Sequence, residues 1–129
     1  AAKPSIWPVS GWVTSEFGTR QNPFGSGKEF HKGIDIATGM GKEIVAPADG
    51  LVVEVGRGSD EGNMVRIEHG YGLSTSYLHL TKPAVKQGTR VKRGELIGYV
   101  GSTGRSTGPH LHYAVFVNNV PVNPRKYLK

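Results

Sequence analysis

The stretch Asn63 to Leu80, NMVRIEHGYGLSTSYLHL, decides the fold. Its first half alternates Val65, Ile67 and His69 with Arg66 and Glu68, the period of a strand with one face turned inward. Tyr71-Gly72 separates it from a second run, Leu73 to Leu80, and a two-residue break of this kind joins antiparallel strands. The stretch predicts a hairpin. GLVVEVG (50–56) precedes it, and ELIGYVG (95–101) and HLHYAVFVN (110–118) follow, each read as a further strand. NNVP marks a turn before the tail VNPRKYLK. The 19 glycines and 8 prolines suit short strands and tight turns, and long helical runs find no place. The expectation is an all-β, antiparallel core of two packed sheets.

At 129 residues the chain reads as one domain over residues 11–129, with residues 1–10, which include Pro4 and Pro8, as an extended lead-in. It opens on Ala1 rather than Met, which reads as a processed or excised piece. There is no cysteine, so thiolate metal sites and cysteine nucleophiles are excluded, and any metal must be held by His and carboxylate. No apolar run approaches the ~20 residues of a membrane-spanning helix. The net charge of +6 favours a polyanionic partner. The densest basic stretch, KQGTRVKRG (86–94), lacks the interleaved aromatics that stack bases, so nucleic acid is not expected. APADGLVVEVG is similar to half-motifs of biotinyl and lipoyl carrier domains. Those need a lysine at a hairpin tip, and neither SDEGN (59–63) nor EHGYG (68–72) offers one.

Strand alternation sends His110, His112, Ala114 and Phe116 to one face and Leu111, Tyr113 and Val115 to the other. Two parallel imidazoles can reach one small object. In HKGIDIA, His31 and Asp35 stand four apart, and Gly33 with the β-branched Ile34 and Ile36 argues for a strand, on which an even spacing also shares a face. Catalytic zinc takes three protein ligands and keeps one position open. His31, Asp35 and either His110 or His112 complete such a set. His79 in TSYLHL is a further candidate, placed by alternation on the face of Thr75 and Tyr77, with core packing the simpler role for Tyr77. His69 follows Val65 and Ile67 and reads as structural. GSTGRSTGPH (101–110) lacks the lysine of a phosphate-binding loop and leads into a strand, so it reads as a shaped loop entering the site. No Gly-x-Ser-x-Gly elbow is present.

These residues resemble the lysostaphin-like, LytM-type zinc endopeptidases that cut peptide cross-links of bacterial peptidoglycan. The likeness runs in order through SEFGTRQNP, HKGIDIA, APADGLVVEVG, VRIEHGYGLSTSYLHL, VKQGTRVKRGELIGYVGSTGRSTGPHLHYAV and VNPRKYL, from residue 11 to the C-terminus. The departures, such as ATGMGKEIVAP, lie in loops. The resemblance implies that His31, Asp35 and His112 bind one Zn²⁺ and that His79 and His110 form an uncoordinated catalytic pair. It also implies a groove between loops, peptidoglycan stem peptides or cross-bridges as substrate, and an extracytoplasmic location; a monomer is expected. The implied chemistry is amide hydrolysis, in which bound zinc brings the pKa of water from about 15.7 toward ~7 and the two histidines share the proton transfers. The alternative in the same family is an inactive cell-wall-binding or hydrolase-activator module, which all five intact positions speak against.

Overall fold

The sequence alternation becomes twelve strands among the described residues, which are 3–21, 27–104, 106 and 108–128 of the computed structural model. In chain order they are β1 (Trp12–Ser15), β2 (Gly18–Gln21), β3 (Lys28–His31), β4 (Ile34–Ala37), β5 (Glu43–Val45) and β6 (Gly50–Gly58). Then come β7 (Gly62–Gly70), β8 (Leu73–Pro83), β9 (Arg90–Val91), β10 (Leu96–Val100), β11 (His110–Val117) and β12 (Val120–Val122). A single 3-10 turn, Pro124–Lys126, follows. Asn22 and Pro23 of the SEFGTRQNP stretch, and Arg105 and Thr107 of the loop ahead of His110, lie outside the described residues.

The large sheet runs β1-β4-β11-β8-β7-β6-β9; β10 joins β8 to β5, and β12 pairs with β11. β2 and β3 form a separate ribbon. The all-β, antiparallel expectation holds, with two sheets of very unequal size, ten strands and two. The predicted hairpin is β7–β8, in which Gly70 pairs with Leu73 across Tyr71 and Gly72. Their φ values of 53° and 79° belong to the type I′ turn whose twist matches that of its strands. The NNVP turn has the same form, with Asn118 at 51° and Asn119 at 66° joining Val117 to Val120. Asn accepts this conformation because its short polar side chain bonds locally.

Register explains how one strand carries both core and site. Tyr113 of β11 stands opposite Ile34 and Tyr77, and Tyr77 opposite Val65, a row that is fully buried. Leu111 faces Ile36, and Val115 faces Thr75. Burying each large apolar side chain contributes about 1.5–3 kcal/mol before conformational entropy is subtracted. The other face of β11 holds His110, His112 and Ala114, opposite Ala37, Asp35 and Ser76 respectively, as the alternation predicts.

The described residues ahead of β1 contain no strand, yet they pack. Val9 lies in the core, the carbonyl of Pro8 accepts from Val45 N–H at 2.9 Å, and the Arg125 guanidinium lies 5.3 Å over the Trp7 ring. Gly33, between β3 and β4, passes so close to β11 that a Cβ there would stand 2.3 Å from the Tyr113 carbonyl oxygen. A side chain at that point would push β4 off β11 and open the register that sets Asp35 beside His112.

Candidate metal centre

His31 ends β3, Asp35 lies in β4 and His112 in β11, where Asp35 and His112 are direct cross-strand partners. His31 and Asp35 therefore meet across the Lys32-Gly33 break between two strands, not along one. His31 Nε2 lies 3.2 Å from Asp35 Oδ1 and 3.2 Å from His112 Nδ1, and His112 Nδ1 lies 2.9 Å from Asp35 Oδ1. Tetrahedral bonds of 2.0–2.1 Å place donor atoms about 3.3–3.4 Å apart, so this triangle is close to one face of such a shell.

The donor chemistry points the same way. His31 Nδ1 stands 3.0 Å from the Glu16 carbonyl, which can only accept, so Nδ1 carries a hydrogen and Nε2 is left to face the site, where it can hold a proton toward Asp35 without a metal and would offer its lone pair to a bound ion. Burial opposes ionisation of Asp35, but hydrogen bonds from His112 and His31, and their charges, outweigh it and hold the carboxyl well below the usual carboxylate range. An anionic oxygen and two imidazole nitrogens thus crowd one point with little solvent: His31 is 5% and Asp35 8% exposed. Such a set of His and carboxylate donors suits a divalent cation, and zinc in particular accepts this composition.

His79 reaches the same place by a different device. In the pairing of β7 with β8, Asn63 opposes Leu80 and Val65 opposes Tyr77, so Met64 alone stands against Leu78 and His79. This is a β-bulge, and His79 adopts a φ of 68° within it. The expectation from alternation is corrected here. Thr75 and Tyr77 lie on the core face, whereas the bulge turns His79 to the opposite face and leaves Leu80 in the core. The His79 ring centroid is 5.0 Å from that of His110 and 6.3 Å from that of His112.

His79 and His110 are tethered alike. His79 Nδ1 donates to the Thr103 carbonyl at 2.8 Å, and His110 Nδ1 to the Gly108 carbonyl at 2.9 Å, with Ser106 Oγ at 3.2 Å. Each ring therefore keeps Nε2 as its basic atom. His110 Nε2 lies 3.8 Å from Asp35 Oδ1, beside the triangle but outside it. Burial, followed by the charges of His110 and His112, pushes His79 below the usual histidine range against the pull of the Thr103 carbonyl, so it stands neutral near pH 7.

His69 has the structural place expected of it. Its Nδ1 donates to the Asp49 carbonyl at 2.7 Å, and its Nε2 accepts from Thr75 Oγ at 2.8 Å, which in turn accepts from the Tyr77 hydroxyl at 2.6 Å. The chain of donors is complete, and burial lowers the His69 pKa. Sequence reading missed Thr103, Asn63 and the Glu16 carbonyl, which act through loops and backbone. It also missed Trp12, 79% exposed, which stands in a cross-strand row with Ala37 and His110 and borders a groove of about 710 Å³. An exposed tryptophan is the signal that could have singled it out.

The chain is also similar to known proteins. Over 112 residues the chain is 47% identical to the DD-carboxypeptidase/endopeptidase Mpg of Neisseria meningitidis, covering 87% of this chain and 26% of that protein. Over 123 residues it is 43% identical to the peptidoglycan DD-endopeptidase ShyA of Vibrio cholerae, covering 93% of this chain and 29% of that one. The chain thus spans about a quarter of the length of these relatives. The crystal structure of a zinc-containing peptidase from Vibrio cholerae superposes with a TM-score of 0.88 at 41% identity, over 96% of this chain and 39% of that one. The model of peptidase family M23 matches residues 29–124, the span that supplies all five of the residues gathered here, and the chain belongs to that family.

Proposed function

We propose that this chain is a zinc-dependent endopeptidase that hydrolyses peptide cross-links of peptidoglycan, and that it works outside the cytoplasm, where that polymer lies. The observation that carries the reading is the joint presence of a closed triangle of donors, His31 Nε2, Asp35 Oδ1 and His112 Nδ1, and two imidazoles beside it whose Nδ1 atoms are tied to backbone carbonyls. A purely structural metal would be enclosed by a fourth protein ligand and would leave no work for the pair. The name of ShyA, a peptidoglycan DD-endopeptidase, and the zinc of the Vibrio cholerae peptidase support the choice of substrate and metal. The charge of +6 suits an anionic wall polymer.

His31, Asp35 and His112 would hold the ion, which when bound supplies Lewis acidity to a water and to the scissile carbonyl. The Glu16 carbonyl orients His31 by fixing its tautomer. His79 and His110 share the proton traffic through Nε2: one accepts the proton of the attacking water, the other donates to the departing amine. Their Nδ1–H bonds to Thr103 and Gly108 hold both rings in place and keep the two functions on Nε2.

The test is digestion of cross-linked muropeptide dimers by the zinc-loaded protein, followed by mass analysis. His112→Ala and Asp35→Ala are expected to lose the metal. His79→Ala and His110→Ala are expected to keep one zinc and lose roughly 10²–10⁴-fold in turnover. Cleavage that persists in a phenanthroline-type chelator, or loss of zinc from His79→Ala, contradicts the proposal.

A further inference from the structure

The imidazole of His79 is on the metal face only because β8 bulges, so whatever maintains the bulge controls the site. Regular antiparallel pairing would let Asn63 N–H bond directly to Leu80 C=O, since these residues are register partners. The Thr103 hydroxyl stands between them. It accepts from Asn63 N–H at 3.0 Å and donates to the Leu80 carbonyl at 2.7 Å. The Asn63 side chain completes the arrangement, its amide donating to the carbonyls of Leu80 at 3.1 Å and Thr81 at 2.8 Å.

The same two loops hold His79 itself. Its backbone N–H donates to the Glu61 carbonyl at 2.8 Å, and its Nδ1–H donates to the carbonyl of Thr103, the residue whose hydroxyl is interposed in the ladder. Gly62 permits this approach, because a Cβ there would stand 2.4 Å from the Thr103 backbone. Thr103 therefore contributes two groups to one result: the hydroxyl bridges the ladder at the edge of the bulge, and the carbonyl fixes the ring that the bulge presents.

We propose that Asn63 and Thr103 form a latch that positions His79, holding both its place on the metal face and its Nδ1–H tautomer. They are positioning residues, touching neither metal nor substrate, and the proposal rests on the reading of His79 as a proton-transfer group of a zinc peptidase. Without the hydroxyl, Asn63 N–H and the Leu80 carbonyl lose the bridge that spaces them at the edge of the bulge, the bulged backbone is no longer pinned, and the imidazole loses its fixed place on the metal face.

The experiment compares zinc-loaded wild type with Thr103→Val, which keeps the shape and loses the hydroxyl, and Thr103→Ser, which keeps the hydroxyl. Three quantities are read: kcat and KM on a cross-linked muropeptide dimer, zinc content, and the His79 Nδ1–H signal in ¹⁵N-histidine NMR spectra. Thr103→Val is expected to lower kcat by about 10- to 100-fold, with KM within about 2-fold and one zinc retained, while Thr103→Ser recovers wild-type kcat to within about 3-fold. The His79 Nδ1–H signal should shift and exchange faster in Thr103→Val and be restored in Thr103→Ser. An unchanged His79 signal, or a kcat within about 2-fold of wild type in Thr103→Val, overturns the latch. Should Thr103→Val fail to fold, Asn63→Ala is read by the same three measurements. A wild-type protein that cleaves no muropeptide sinks the peptidase reading alone, because the NMR comparison still decides the latch.

Discussion

At residue 79 a φ of 68° crowds the Cβ of any side chain, so the backbone carries a cost that is separate from the work of the imidazole. His79→Ala removes the imidazole but keeps the Cβ. In urea unfolding at equal zinc load, His79→Gly is therefore expected to be about 1 kcal/mol more stable than His79→Ala, with both inactive. Equal stabilities would mean that the backbone at this position carries no strain. The five candidate residues that the structure brings together could be picked out by residue type and motif spacing, whereas their division into ligands and proton carriers rests on the family resemblance. The orientation of His79 was not legible in the sequence, because alternation assumes an unbroken ladder and the hydroxyl that interrupts it comes from Thr103, twenty-four residues away. Tyr77 shows the same limit from the other side: it shares a strand with His79 but lies in the core, bonded to Thr75.

At the scale of elements, β11 works as a two-sided strand. Leu111, Tyr113 and Val115 fix its register against β4 and β8 through the core, and that register delivers His112 opposite Asp35. The period of two made this face assignment readable from the sequence. Less readable was the convergence of His31 with Asp35, which depends on the close passage of Gly33 over Tyr113. The β6–β7–β8 part of the sheet carries the buried His69 chain, and this makes a prediction in pH. Burial holds the native His69 pKa below its usual value, whereas the unfolded chain takes up a proton near pH ~6.5. Stability is thus fully present above that pH and lost as pH falls toward the native pKa. In zinc-free protein, His69→Asn is expected to lose stability less steeply than wild type between pH 7 and 5, by up to about 1.4 kcal/mol per pH unit. Parallel slopes would mean that His69 titrates alike in both states.

Across the whole molecule, His31 and His112 lie 81 positions apart and meet only when the large sheet and the β2–β3 ribbon are both in place. The loops that carry Glu16, Thr103 and Gly108 add backbone carbonyls, and these have no signature in residue type. That is why the donors could be read from the sequence while the groups that orient them could not. The fold is all-β because short alternating segments and type I′ turns leave little room for anything else, and the same brevity puts the site at strand ends and bulges. The central claim is that one divalent ion is held by His31, Asp35 and His112, with His79 and His110 outside its shell. A crystal structure of the zinc-loaded protein, with anomalous data at the zinc edge, tests this most directly. A single peak within bonding distance of His31 Nε2, Asp35 Oδ1 and His112 Nδ1 is expected; a peak bonded to His79 or His110 in place of one of these, or no peak at the triangle under excess zinc, would rule this arrangement out.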